Sequence, residues 1–197
     1  MTSRSSLPTV TLVRHGATEW SRSAKHTGLT DLPLLAEGED DALRLAPMLA
    51  PDNFDLVATS PLIRARETCR LAGFGAVATI DPDLTEWDYG DYEGRTTAEI
   101  LADRPGWQLF RDGCPGGEQA ADVAARADRV IARLRQSNGN GLLFSSGHLL
   151  RVLAARWLGL APQAGALFTL GTASISQLGY DHDRTEPAIS RWNLTPP

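Results

Sequence analysis

At 197 residues and 21.2 kDa, with a formal net charge of -5, the chain is long enough to bury one substantial core. Its 42% hydrophobic and 22% charged residues suit a globular protein and exclude a disordered or fibrous one. The acidic balance excludes a general nucleic-acid binder, which needs a broad basic field, and no apolar run in the sequence approaches a membrane span.

Met1 to Pro8 is rich in Ser and Thr and lacks the apolar segment of a signal peptide. The two cysteines, Cys69 and Cys114, show no metal-ligand spacing, so a cytoplasmic protein with both thiols reduced is expected. Val10 to Val13 is apolar and rich in β-branched residues, predicting a buried first strand. It ends in Arg14-His15-Gly16, and a helix is expected to begin over Thr18 to Arg22. Glu37 to Leu49 carries Leu43, Leu45, Ala46 and Leu49 at helical spacing, with Pro51 as the stop. Phe54 to Ala58 reads as a second strand. Thr59-Ser60-Pro61, a capping hydroxyl followed by proline, predicts a helix from Pro61 to about Ala72.

Val77 to Ile80 predicts a third strand, and Leu84 to Gly94, polar and aromatic with two glycines, a structured loop. A helix near Thr97 follows. After Gly116-Gly117, an Ala/Arg-rich helix is expected from Glu118 to about Gln136, closing at Asn138-Gly139. Gly141 to Phe144 is a buried strand, Leu149 to Leu158 a helix, and Ala173 to Tyr180 and Ala188 to Trp192 late strands. Alternating strands and helices predict an α/β fold, a three-layer α/β/α sandwich around a mostly parallel sheet, with ligands beyond the C-terminal strand ends. The Gly-rich turn from Gly113 to Gly117 leaves too little chain after it for an independent core, so residues 1–197 are expected to form one domain.

Three strand ends carry chemistry. At the first, Arg14 and His15 precede Gly16, which permits a tight turn, and the free N–H groups of a following helix would add an anion site. The second is Thr59-Ser60-Pro61, with Arg64 about one turn into the helix. The third is Ser145-Ser146-Gly147-His148, with Arg151 and Arg156 beyond it. A neutral imidazole can attack phosphorus if its other nitrogen holds the proton. Arginine offers phosphate a bidentate fork. A carboxyl group must protonate the leaving oxygen, and Glu86 is the first choice because Trp87 and Tyr89 would shield it from water. Several residues also have ordinary readings: Arg64 paired with Glu67, Glu118 at a helix start, Arg151 and Arg156 as structural cations, and Trp87, Tyr89 and Tyr92 as packing.

Six blocks in this order resemble the histidine phosphatase superfamily, also called phosphoglycerate-mutase-like. They are Leu12-Val13-Arg14-His15-Gly16-Ala17-Thr18-Glu19-Trp20, the segment Gly28 to Leu34, Ser60 to Thr68, Glu86 to Gly94, and Gly116-Gly117-Glu118 with the stretch around Gly147. The resemblance implies that His15 is a phosphorylated nucleophile, that Arg14 and Arg64 bind the phosphoryl group, and that Glu86 is the general acid and later the base. It adds Ser146 and Gly147 to the phosphate site. Ser21, Lys25, His26, Thr27, Gly28 and His148 become candidates for substrate specificity.

No metal and no cofactor is implied. The compact form, Trp87 after Glu86 where the mutase branch carries arginine, and Ser21 where it carries asparagine favour a phosphatase for a small phosphorylated metabolite such as a phosphosugar. A phosphoglycerate-type mutase and a catalytically impaired binding protein are the alternatives. Neither a nucleic-acid nor a membrane partner is expected, and a homodimer is kept open. One residue departs from the family: with Gly147 and Arg151 aligned, the second catalytic histidine falls on Ser146. Ser146 admits an engineered trap, a rewired site that uses His148, or loss of catalysis in favour of binding.

Overall fold

The computed structural model describes residues 7–50 and 52–197. Six strands, β1 (Val10–Arg14), β2 (Leu56–Thr59), β3 (Thr79–Ile80), β4 (Gly141–Ser145), β5 (Ile175–Tyr180) and β6 (Pro187–Leu194), form one sheet in the order β3-β2-β4-β1-β5-β6. The pairs β2/β3, β2/β4 and β1/β4 are parallel, while β5 and β6 add an antiparallel edge. The helices are α1 (Glu19–Arg22), α2 (Ala36–Leu49), α3 (Ile63–Leu71), α4 (Thr97–Asp103), α5 (Leu109–Asp112), α6 (Ala120–Ser137) and α7 (Gly147–Trp157).

The period of two along each strand divides the core. Val10, Leu12, Ala58 and Leu143 pack with Val123, Ala127 and Ile131 of α6 and with Leu149, Leu150 and Leu153 of α7. Val13, Val57, Leu142 and Phe144 pack on the other side with Leu45 and Leu49 of α2 and Cys69 of α3. The sheet is therefore covered on both faces, as a mostly parallel sheet requires, and the expected three-layer α/β architecture is what the chain adopts.

Several boundaries move, each for a physical reason. The helix expected from Pro61 begins at Ile63, because neither Thr59 nor Ser60 caps it; Asp31, from a distant loop, accepts the Ile63 N–H at 2.7 Å instead. The third strand shortens to Thr79–Ile80, since Val77 and Ala78 both turn back to the carbonyl of Phe74. The helix expected from Leu149 starts two residues earlier at Gly147, with Ser146 at its N-cap. The helix expected from Glu118 starts at Ala120 and closes on Asn138, whose φ of 57° is the left-handed end of a helix. Within Leu84 to Gly94 the loop contains a 3-10 turn, Gly90–Tyr92. Three short elements carry no strong periodicity and have no counterpart in the expectations from sequence: α5 and the 3-10 segments Pro82–Leu84 and Pro162–Leu167. The stop proposed at Pro51 lies outside the described residues, as does most of the Met1 to Pro8 segment.

Candidate active site

β1 lies between β4 and β5, so its C-terminal end opens at the middle of the sheet. His15 follows it directly, its N–H donating to Ser145 at 3.0 Å and its carbonyl accepting from Ala173 at 2.9 Å. Its Nδ1 lies 2.8 Å from the Gly16 carbonyl, which can only accept, so Nδ1 carries the proton and Nε2 keeps a bare lone pair. Burial first, then the charges of Arg64 and Arg14, hold the imidazole pKa well below its usual 6.5. The ring is therefore neutral near pH 7. Gly16 fixes the turn by close approach to α2: a Cβ there would lie 2.3 Å from the Gly38 carbonyl oxygen.

Three buried polar atoms, one from each strand-end junction, lack a partner: Arg14 Nε, Arg64 Nε and Ser146 Oγ. Thr11 Oγ1 is the other such atom among the described residues. Unpaired buried polar groups are rare, and two guanidinium N–H groups with a hydroxyl form a donor set suited to an oxyanion. Arg14 is anchored through Nη1 on the Leu170 carbonyl. Arg64 is fully buried; its Nη1 donates to Thr30 at 2.9 Å and its Nη2 to Thr27 at 3.0 Å and Gly28 at 2.8 Å. Burial lowers the pKa of both arginines, with Glu86 acting in the opposite direction.

Two expectations are corrected by this geometry. Arg64 stands in the first turn of α3, not one turn in, and both its terminal nitrogens are occupied by carbonyls, leaving Nε rather than an open fork. The helix after Gly16 is only four residues long and is capped by Thr18, whose side chain accepts from Ser21, so it adds no anion site.

Glu86 is 4% exposed. Its Oε1 accepts from Trp87 N–H at 2.9 Å and Leu149 N–H at 2.8 Å, and its Oε2 from His148 N–H at 2.9 Å. The early start of α7 makes this arrangement: the free N–H groups of its first turn hold both carboxylate oxygens. Trp87 and Tyr89 are buried beside it, as expected of the shielding aromatics.

A cavity of about 240 Å³ is lined by Arg14, His15, Glu86, Gly147, His148 and Arg151, among others. Ser21, Lys25, His26 and Thr27 also reach it. Arg64, Ser146 and Gly28 do not line it. Gly28 is built into the loop behind, its N–H held by Glu93 at 2.9 Å and a Cβ there lying 2.6 Å from the Trp87 carbonyl oxygen. Burial lowers the pKa of His26 to about 4.

The family model for the histidine phosphatase superfamily, branch 1, matches residues 10–195. The chain belongs to the histidine phosphatase superfamily. It is 38% identical to an acid phosphatase of Mycobacterium tuberculosis over 90% of this chain and 89% of the relative. It is 40% identical to sedoheptulose 1,7-bisphosphatase of Saccharomyces cerevisiae over 79% of this chain and 69% of that protein. The solved structure of an open reading frame from Mycobacterium tuberculosis superposes with a TM-score of 0.91 at 35% identity, covering 96% of this chain and 99% of the other. The chain is thus a phosphoric monoester hydrolase of the histidine phosphatase type.

This histidine phosphatase has site residues that sequence reading underrated. Arg151 lies on the cavity wall, its Nε donating to Gly165 at 3.0 Å and its guanidinium 4.6 Å from the Phe110 ring. Its spacing of three from His148 on one helix face was the available signal. Arg156, by contrast, is the structural cation expected, paired with Asp128 at 2.9 Å. Glu67 pairs with Arg70 at 2.9 Å rather than with Arg64.

Glu118, two residues before α6, accepts from Asp88 N–H at 2.9 Å and pairs with Arg126 at 2.8 Å. Arg126 in turn donates to the carbonyls of Asp83 at 2.9 Å and Thr85 at 2.8 Å, tying down the segment that carries Glu86. No helical or motif spacing links Arg126 to Glu86, so sequence reading had no signal for it. Among the described residues, one His/carboxylate group has its ligand atoms close together: Asp181, His182 and Glu186, all exposed in the turn between β5 and β6. It lies outside the cavity lining, and no metal was expected of the sequence. No described helix is long and apolar enough to cross a membrane.

Proposed function

We propose that this chain hydrolyses a phosphosugar-like phosphate monoester through a phosphohistidine formed on His15. The observation that carries the reading is the His15 tautomer, Nδ1 bound to the Gly16 carbonyl and Nε2 free, in a ring on which the charges of Arg64 and Arg14 act, each arginine keeping an unpartnered Nε–H. In the first half-reaction Nε2 bonds to phosphorus as the bridging P–O bond breaks, and Glu86 gives its proton to the leaving oxygen. In the second, Glu86 takes a proton from water, the water oxygen bonds to phosphorus, and Nε2 leaves with its lone pair restored. The two arginine charges offset the negative charge on the phosphoryl oxygens throughout.

Ser146 would supply a shorter, neutral donor where the family has an imidazole, giving a slow phosphatase rather than an inert one. The name of the yeast relative, a sugar bisphosphatase, supports a substrate with a second anionic group. Lys25 and Arg151, the two cationic side chains lining the cavity besides Arg14, are the candidates to meet it. Ser21, His26 and Thr27 would shape the rest of that wall. The two free, buried cysteines fit the cytoplasmic location this reading includes.

Ser146 also favours a second reading, a protein that binds a phosphometabolite without turnover. A turnover screen over phosphosugars and phosphoglycerates separates the possibilities. Phosphate release from a phosphosugar supports the proposal, interconversion of phosphoglycerate isomers supports a mutase, and binding without either supports the second reading.

A further inference from the structure

His148 occupies the first turn of α7, its own N–H held by Glu86. Its ring packs 5.4 Å from Phe110, 5.8 Å from Tyr89 and 6.0 Å from His26, centroid to centroid. The hydroxyl of Tyr89, itself buried, lies 2.5 Å from His148 Nδ1. Glu86 Oε2 is 3.9 Å from the same nitrogen, too far to accept a hydrogen bond from it.

Burial pushes the Tyr89 phenol well above 10, so it keeps its proton, and burial together with Arg151 holds the His148 imidazole well below 6.5, so the ring is neutral. The phenol has His148 as its side-chain partner; we assign the phenol as donor, which makes Nδ1 the acceptor and leaves the ring proton on Nε2. His15 has the opposite tautomer, with its proton on Nδ1. One cavity therefore holds one imidazole with a free lone pair and one with a free N–H. The ring neighbours of His148 are His26, Tyr89 and Phe110, and the first charge acting on it is that of Arg151, ahead of Arg14. His148 lines the cavity together with Glu86, Tyr89 and His26, whereas Ser146 does not reach it.

We propose that His148 donates a hydrogen bond from Nε2 to a hydroxyl of the substrate's leaving group, with Tyr89 as the positioning residue that locks the tautomer. The assignment rests on the phosphatase reading and makes His148 a selector for hydroxylated leaving groups rather than a replacement for the missing second histidine. A site built to bond a hydroxyl discriminates against an analogue without one.

The test compares glucose 6-phosphate with phenyl phosphate, which offers no hydroxyl, in the full chain and its variants. His148→Phe should lower kcat/KM for glucose 6-phosphate about tenfold more than for phenyl phosphate, the effect of one lost hydrogen bond. His148→Gln, which keeps an N–H donor, should recover most of that difference. Long-range proton–nitrogen correlation spectra should show His148 as the Nε2–H tautomer, changing to a mixture in Tyr89→Phe. Equal losses on the two substrates, or an Nδ1–H tautomer in the unaltered protein, would overturn the assignment. If the chain proves not to turn over any phosphate ester, calorimetric affinities decide it independently. His148→Phe must then weaken glucose 6-phosphate about tenfold more than inorganic phosphate, and equal weakening overturns the proposal.

Discussion

If Ser146 stands at the second-histidine position, as proposed above, Ser146→His would restore the group beside the transferring phosphoryl. Ser146 is fully buried at the β4–α7 junction and its Oγ has no partner, so nothing in the resting protein depends on the hydroxyl. A preorganised donor at developing negative charge is worth about 2.7–4 kcal/mol in the transition state, or about 100- to 1000-fold in rate. Against this stands crowding. The position of a Cβ on neighbouring Gly147 is already 3.3 Å from Arg14 Cζ, and forcing a larger side chain into a packed site costs about 1–3 kcal/mol of folding stability.

The two effects fall on different observables. Steady-state kcat/KM with p-nitrophenyl phosphate should rise by about 100-fold or more, while the urea midpoint falls. Ser146→Ala is the control: it removes a buried unpaired hydroxyl, so stability should hold or rise by up to about 1 kcal/mol. A correctly folded Ser146→His protein with unchanged kcat/KM would show that the site is not limited by that donor.

Three further outcomes follow from the geometry. Glu86→Gln should lower turnover of alkyl phosphates by about 100-fold or more. An amide NH2 would also face one of the three N–H donors, so thermal melting should fall with it. Arg126→Ala should cost roughly 2 kcal/mol in urea unfolding, the scale of hydrogen bonds to a charged group, and should lower kcat by loosening the Glu86 segment without direct contact with substrate. Stability should also depend on pH through the buried histidines. His15 and His148 are held well below 6.5 and His26 falls to about 4, so the unfolded chain binds more protons between about pH 4 and 6.5. Unfolding free energy should therefore be full above pH 6.5 and decline as pH falls towards 4, and His26→Gln should flatten part of that slope.

Local sequence carried much of this. The apolar runs that become β1 and β4 announce strands, and their alternation sorts side chains to two helical layers, because a strand's neighbours on each face are set by a period of two. Arg14, His15 and Glu86 were legible because strand ends and motif blocks carry them. What stayed hidden depends on chain segments far apart in sequence. Asp31 caps α3 from 32 residues away, which moved that helix's start. Arg126 reaches the Glu86 segment across 41 residues. The Tyr89–His148 contact spans 59 residues, so the tautomer of His148 could not be read from its neighbours in the chain. The early start of α7 belongs to the same class: Gly147 and His148 are weak helix formers, and the turn forms where its N–H groups meet Glu86.

The proposed route requires His15 to become covalently phosphorylated. Rapid mixing with a radiolabelled phosphosugar, followed by alkaline quench and peptide mapping, tests it directly. Label is expected on the peptide containing His15, stable to alkali, lost in acid and absent from His15→Ala. Sustained turnover with no label on that peptide, or a His15→Ala protein that still turns over substrate, would contradict it.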